Sequence, residues 1–157
     1  MIMRTFGLAA AITISATASF AQGIQWQRYV IPQSGAAVDL PAGIFTRDAG
    51  GLDPALGQRR STPDGRANLT VQSMPNSENL SPAAFLANQQ PPPGIIYKKV
   101  TPRFFAVSSV REGKIWYNRC NASRRYMSCV LLIYPANEKR QWDATVTRIS
   151  NTLFSSR

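Results

Sequence analysis

Cys120 and Cys129 are the two cysteines of this 157-residue chain, and no histidine accompanies them. Paired thiols can form a disulfide, bind a metal or exchange redox equivalents. Two sulfurs without an imidazole make a poor ligand set for zinc, and the spacing is not the C-x-x-C of a redox motif. They sit in two strand-like runs, Lys114 to Cys120 and Tyr126 to Tyr134, joined by Asn121-Ala122-Ser123-Arg124-Arg125, which is the pattern of a hairpin. Antiparallel pairing would set the two sulfurs opposite one another, and an oxidising compartment would close them into a structural disulfide. The absence of histidine removes Ser-His-Asp and Cys-His catalysis. No lysine stands three residues after any serine, and no G-x-x-x-x-G-K-[ST] follows Gly50-Gly51. Asp48 and Asp53 flank a Gly-rich stretch but lack the dense acidic spacing and closing Glu of a calcium loop. No metal and no cofactor is expected.

The basic residues are the richer source of chemistry. Eighteen Lys and Arg face eight Asp and Glu, for a net charge of +10. Fourteen of the eighteen are arginine, whose planar fork grips carboxylate and phosphate in a way lysine does not. Arg119, Arg124 and Arg125 fall within seven residues around the hairpin turn, with Tyr117 and Tyr126 on either side. Cations beside aromatic rings can hold an anionic group, so these five are the candidate ligand-binding residues; a solvated turn is the plainer alternative. Arg59-Arg60 and Lys98-Lys99 with Arg103 form further basic pairs near turns.

Positioning these residues requires a frame, and the chain supplies one after a short preface. Arg4, an uncharged run from Phe6 to Thr17, and the small residues Ser19 and Ala21 have the order of a secretory signal peptide over 1–21, with cleavage before Gln22. The apolar run is shorter than a bilayer span. Residues 22–157 suit a single domain. Strands are expected at Gln25 to Pro32, Ala37 to Leu40, Gln58 to Thr62, Ala67 to Gln72, Ile95 to Val100, Phe104 to Val110, and in the two cysteine-bearing runs. Pro63-Asp64-Gly65 and Glu112-Gly113 supply turns. Trp26, Arg28 and Val30 are expected on one pleat of the first strand, with Gln27, Tyr29 and Ile31 on the other; Asp48 to Gly57 is expected to be a loop. Ser81-Pro82 starts a helix reaching about Asn88, with the hydroxyl as N-cap and Pro at N1. Trp142, Val146, Ile149 and Leu153 trace an apolar stripe on a closing helix. Tyr126 to Tyr134 is apolar on both pleats, the mark of a central strand covered on both faces. The expectation is an α+β domain, an antiparallel sheet of about six strands with helices packed on it, and Trp116 and Trp142 in its core.

Phe104 to Ser109 followed by Gly113 to Cys120, and Cys129 to Pro135 followed by Trp142 to Ser150, resemble a group of short secreted proteins of Gram-negative bacteria to which no function is attached. At fold level, Leu40-Pro41-Ala42-Gly43, the central hairpins and the closing helix resemble the PsbP-like α/β/α sandwich. That resemblance implies a binding or assembly factor in place of an enzyme. The expected protein is a non-catalytic binding or accessory domain, periplasmic or secreted, for an anionic envelope component or a protein partner. Export counts against nucleic acid. A small carboxylate-based hydrolase and a structural accessory subunit are the alternatives.

Overall fold

A computed structural model describes residues 23–90 and 93–155; the segment 1–21 expected to be a signal peptide lies outside the described residues. The strands are β1 (Trp26–Val30), β2 (Ala37–Pro41), β3 (Arg47–Asp48), β4 (Gly57–Ser61), β5 (Asn68–Pro75), β6 (Ile95–Val100), β7 (Phe104–Arg111), β8 (Lys114–Ala122) and β9 (Tyr126–Pro135). The helices are α1 (Pro82–Asn88) and α2 (Lys139–Thr152), the latter entered through a 3-10 turn at Ala136–Glu138. Strands β3 to β9 form one antiparallel sheet in the order β3-β4-β5-β9-β8-β7-β6, and β1 with β2 makes a separate hairpin. The main sheet thus has seven strands where about six were expected. The extra one is β3, two residues at the edge of the expected loop from Asp48 to Gly57, which pair Arg47 and Asp48 with Ser61 and Arg60.

Strand β9 lies near the middle of the sheet, paired with β5 and β8, as its two apolar pleats require. Val130, Leu132 and Tyr134 enter the larger core with Leu69, Val71 and Ile115; Val146, Ile149 and Leu153 of α2 and Val38 and Leu40 of β2 close it. Met127 and Cys129 face the other way, into a smaller core with Phe105, Val107, Cys120 and Leu86 of α1. Each face therefore carries a helix, and β1–β2 lies beside α2. Asp39 joins them: it accepts from Arg28 at 3.0 Å and lies 4.0 Å from Arg148, while its amide donates to Thr152 Oγ1 at 3.0 Å. In a strongly twisted two-stranded ribbon, Trp26 and Tyr29 both rest against the main core, although the expected alternation put them on opposite pleats.

Two local rules are visible in the turns. Glu112 and Gly113 both take positive φ, 50° and 72°, the two-residue loop whose twist suits a hairpin. Gly57 begins β4 with φ 153°, and a Cβ there would stand 2.1 Å from the Val71 carbonyl oxygen. Helix α1 is capped as expected: Ser81 Oγ accepts from the Ala84 amide at 3.2 Å, with Pro82 in the first turn. It has seven residues and leaves part of its face uncovered. Trp142 packs between Phe45 and Tyr134, each ring 5.7 Å away. Trp116 departs from expectation. It belongs to neither core cluster and lies half-buried under the Arg111 guanidinium at 4.2 Å.

Candidate functional site

Cys120 and Cys129 are register partners in the β8–β9 hairpin and are joined, with an S–S distance of 2.02 Å. The same register separates the basic cluster. Arg124 and Arg125 stand exposed in the turn, where the Arg125 carbonyl accepts from the Asn76 amide at 2.7 Å. Tyr126 is half-buried opposite Pro75. Arg119 is not at the tip. It lies within β8, paired with Ala106 on one side and Val130 on the other, on the face that carries α2. Tyr117 is two residues away on the same face.

The strands on that side of the sheet make a trough. Lys99, Ala106 and Arg119 occupy one row across β6, β7 and β8; Tyr97, Ser108 and Tyr117 occupy the next. Small residues on the middle strand sit between long ones on its neighbours, so the floor is low and the sides are high. Val146, Thr147, Ser150 and Asn151 of α2 form the far wall, and the enclosed space is about 270 Å³. The Arg119 guanidinium lies 4.0 Å and the Lys99 ammonium 5.7 Å from the Phe104 ring centroid. Both cations lie over the same ring, a favourable contact for each. Arg119 donates from Nε to Asn121 Oδ1 at 3.1 Å and from Nη1 to Ser150 Oγ at 3.4 Å. The hydroxyls of Tyr117 and Ser150 are hydrogen-bonded to each other. Burial raises the Tyr117 phenol above its usual range against the pull of Ser150 and Arg119, and burial lowers Arg119. Among the described residues, neither Lys99 nor Arg119 forms an ion pair with a carboxylate.

The acidic residues are used elsewhere. Asp64 is held well below the usual carboxylate range by hydrogen bonds from Thr62 and Arg66. Arg66 also reaches Glu138, which accepts from Trp142 Nε1 at 3.1 Å. Asp143 pairs with Lys139 at 2.8 Å. Asp48 and Asp53 accept from the Gly50 and Ala55 amides at 2.8 and 2.9 Å, the local turn chemistry of short acidic side chains. No three Cys, Asp or Glu residues converge as a metal site among the described residues.

Lys99 was noted only with Lys98 and Arg103 as a basic group near a turn; Tyr97, Phe104 and the small residues Ala106 and Ser108 were not singled out as site residues. Their signal was the alternation small-large across three successive strands. It appears only once the turns at Thr101 to Arg103 and Glu112-Gly113 fix the register.

No protein-family model matches the chain, and no curated protein matches its sequence. Solved structures do match its architecture. Cyanobacterial PsbP from Synechocystis sp. PCC 6803 superposes with a TM-score of 0.61 at 12% identity, over 90% of this chain and 99% of that one. The fold is PsbP-like. The Ran-binding protein Mog1p of Saccharomyces cerevisiae is similar at a TM-score of 0.52 and 8% identity, over 85% of this chain and 96% of that one. Matches that span nearly the whole of both partners place the sandwich, with its sheet and helices, inside the PsbP-like architecture; at these identities they carry the fold alone.

Proposed function

We propose that the chain is an exported, non-catalytic binding domain of the cell envelope, periplasmic or secreted, whose partner presents an anionic group to the trough between β6, β7, β8 and α2. One observation carries this reading: Lys99 and Arg119 lie over a single aromatic ring, and among the described residues neither pairs with a carboxylate. An anionic partner would supply the counter-ion that neither cation has among the described residues. Thr147, Ser150 and Asn151 add hydrogen-bonding groups at the wall. A bound carboxylate or phosphate would meet two cations and several polar groups at once.

Other features support the reading. Six of the eight acids are engaged in turns, ion pairs or caps, which favours binding over a carboxylate-based hydrolase. Mog1p, of the same architecture, is described as Ran-binding, an example of this fold used to hold a protein. The residue order in 1–21 and the Cys120–Cys129 bridge support export. Intact-mass measurement of the exported product should give a chain beginning at Gln22; a product retaining Met1 would refute it.

The binding test compares wild type with Lys99→Gln/Arg119→Gln and with Arg124→Gln/Arg125→Gln. The probes are anionic liposomes, lipopolysaccharide and an acidic peptide, each across a salt series. Charge-assisted hydrogen bonds contribute about 1.5–3 kcal/mol each, so the trough variant should lose at least tenfold in affinity for the matching probe. The tip variant should change only the salt-dependent encounter. Equal loss in both variants would assign binding to diffuse charge.

A further inference from the structure

A second cation, in a different part of the molecule, has no ion pair among the described residues. Arg60 lies on β4, in register with Asp48 on β3 and Leu69 on β5. Its Nε is buried and has no hydrogen-bond partner among the described residues. The opposing Asp48 does not form an ion pair with it; Asp48 Oδ1 accepts from the Gly50 amide instead. Burying a guanidinium nitrogen without an acceptor is costly, and the arginine nevertheless stays where a hydrophobic side chain would pack.

Arg60 opens on a cleft of about 400 Å³ between the β1–β2 hairpin and β4. Leu40, Phe45 and Leu69 give it apolar walls, and Gln27, Gln58 and Tyr29 give it polar ones. Burial raises the Tyr29 phenol, which keeps it a neutral hydrogen-bond donor. Arg28 also borders the cleft, but its guanidinium is committed to Asp39 at 3.0 Å. Arg60, Tyr29 and Gln58 also line a neighbouring cavity of about 320 Å³ on the β3 side, so Arg60 borders both.

Apolar walls, a few polar groups and one cation with no ion pair among the described residues are the composition of a small-molecule site, and the volume lies at the lower end of the range for such sites. We infer that the cleft binds a small organic carboxylate with an apolar body, its carboxylate on Arg60 and its body against Leu40, Phe45 and Leu69. This site is separate from the Lys99/Arg119 trough, so the two readings stand or fall independently.

The inference separates stability from binding. Arg60→Met keeps the length of the side chain and removes the unsatisfied nitrogen, so the ligand-free variant should melt no lower than wild type. Benzoate and hexanoate are the probes, with benzamide and hexanamide as neutral counterparts and sodium sulfate as an ionic control. In wild type, one or both carboxylates should raise Tm saturably, by about 5 °C at a hundredfold excess over Kd, and the amides and sulfate should not. Arg60→Met should weaken that binding at least tenfold, Arg60→Lys should recover part of it, and Thr46→Trp at the cleft wall should weaken it with Arg60 intact. Lys99→Gln/Arg119→Gln should leave it unchanged. The inference is overturned by a wild type that responds to neither carboxylate, by a response shared with the amides, or by one that survives in Arg60→Met.

Discussion

On the α2 side of the sheet, a fourteen-residue helix and a two-stranded hairpin together cover the central strands, and the core they close includes Ile149, Leu132, Val130, Val71 and Val38, each at most 1% exposed. On the α1 side, a helix of seven residues covers a small cluster around Phe105, Met127 and Leu86. The covalent bridge belongs to this second side, for Cys120 and Cys129 are part of its cluster. The thinner layer is thus the cross-linked one. The difference teaches how a sheet with unequal cover can hold both faces: packing secures one, and a covalent constraint on the unfolded chain supports the other. Both candidate ligand sites lie on the well-packed side, where rigid elements can hold side chains in place.

Deleting core atoms should expose the asymmetry most strongly. Ile149→Ala removes a side chain with 0% exposure from between α2 and the sheet, and should cost about 2–5 kcal/mol. Leu86→Ala on α1 should fall at or below the bottom of that range, because a seven-residue helix can settle into the gap. Urea denaturation of both variants measures the difference, and equal losses would break the comparison. Reduction of Cys120–Cys129, or a double Cys→Ala variant, should lower stability by about 2–3 kcal/mol on the chain-entropy estimate for so short a loop. The loss should be larger, relative to its own packing, on the α1 side, and amide exchange should show it first in β7 and α1.

Alkaline titration probes the α2 side selectively. Burial, with Asp143 and Tyr117 adding to it, pushes the Tyr134 phenol up to about 12. A phenol whose folded pKa lies above its unfolded value near 10 contributes stability that is complete below pH ~10. That contribution is lost as pH rises through about 12. Tyr134→Phe should flatten stability across this window, followed by chemical denaturation at fixed pH; an unchanged slope would place the alkaline sensitivity elsewhere. The smallest effect belongs to Asp64, an exposed carboxylate held below its usual range. Its contribution is present above the ordinary carboxylate pKa and falls away with acid. Asp64→Asn should therefore lower stability slightly at neutral pH and make little difference in strong acid, as acid-unfolding midpoints would register.

Much of this frame could be read from residue order. The double apolar pleat of Tyr126 to Tyr134 requires cover on both faces, and α1 and α2 supply it. Ser81-Pro82, Glu112-Gly113 and the Trp142-Val146-Ile149-Leu153 stripe each name their own structure, because capping, turn twist and helical period are local. The Cys pair was legible for the same reason: its hairpin loop is short enough to fix its own register. Trp116 was misplaced because no local signal states which part of a sheet lies under cover. β3 was missed because two residues cannot display an alternation. Arg119 was grouped with Arg124 and Arg125 by proximity in sequence, whereas the pleat sends it to a different face. Its true neighbours, Lys99 and Phe104, come from other strands, and Arg60 meets its cleft only because the β1–β2 hairpin folds across from far upstream.

The last described strand contact has a consequence in time. Ala37 and Phe154 exchange two backbone hydrogen bonds, from the Ala37 amide at 2.9 Å and from the Phe154 amide at 2.8 Å. The β1–β2 hairpin is thereby stitched to residues at the far end of the chain, and a contact so distant in sequence is slow to form. During synthesis the hairpin emerges early and waits for Phe154 before it can be secured. The hairpin's final clasp therefore cannot close until Phe154, more than a hundred residues downstream, is in place.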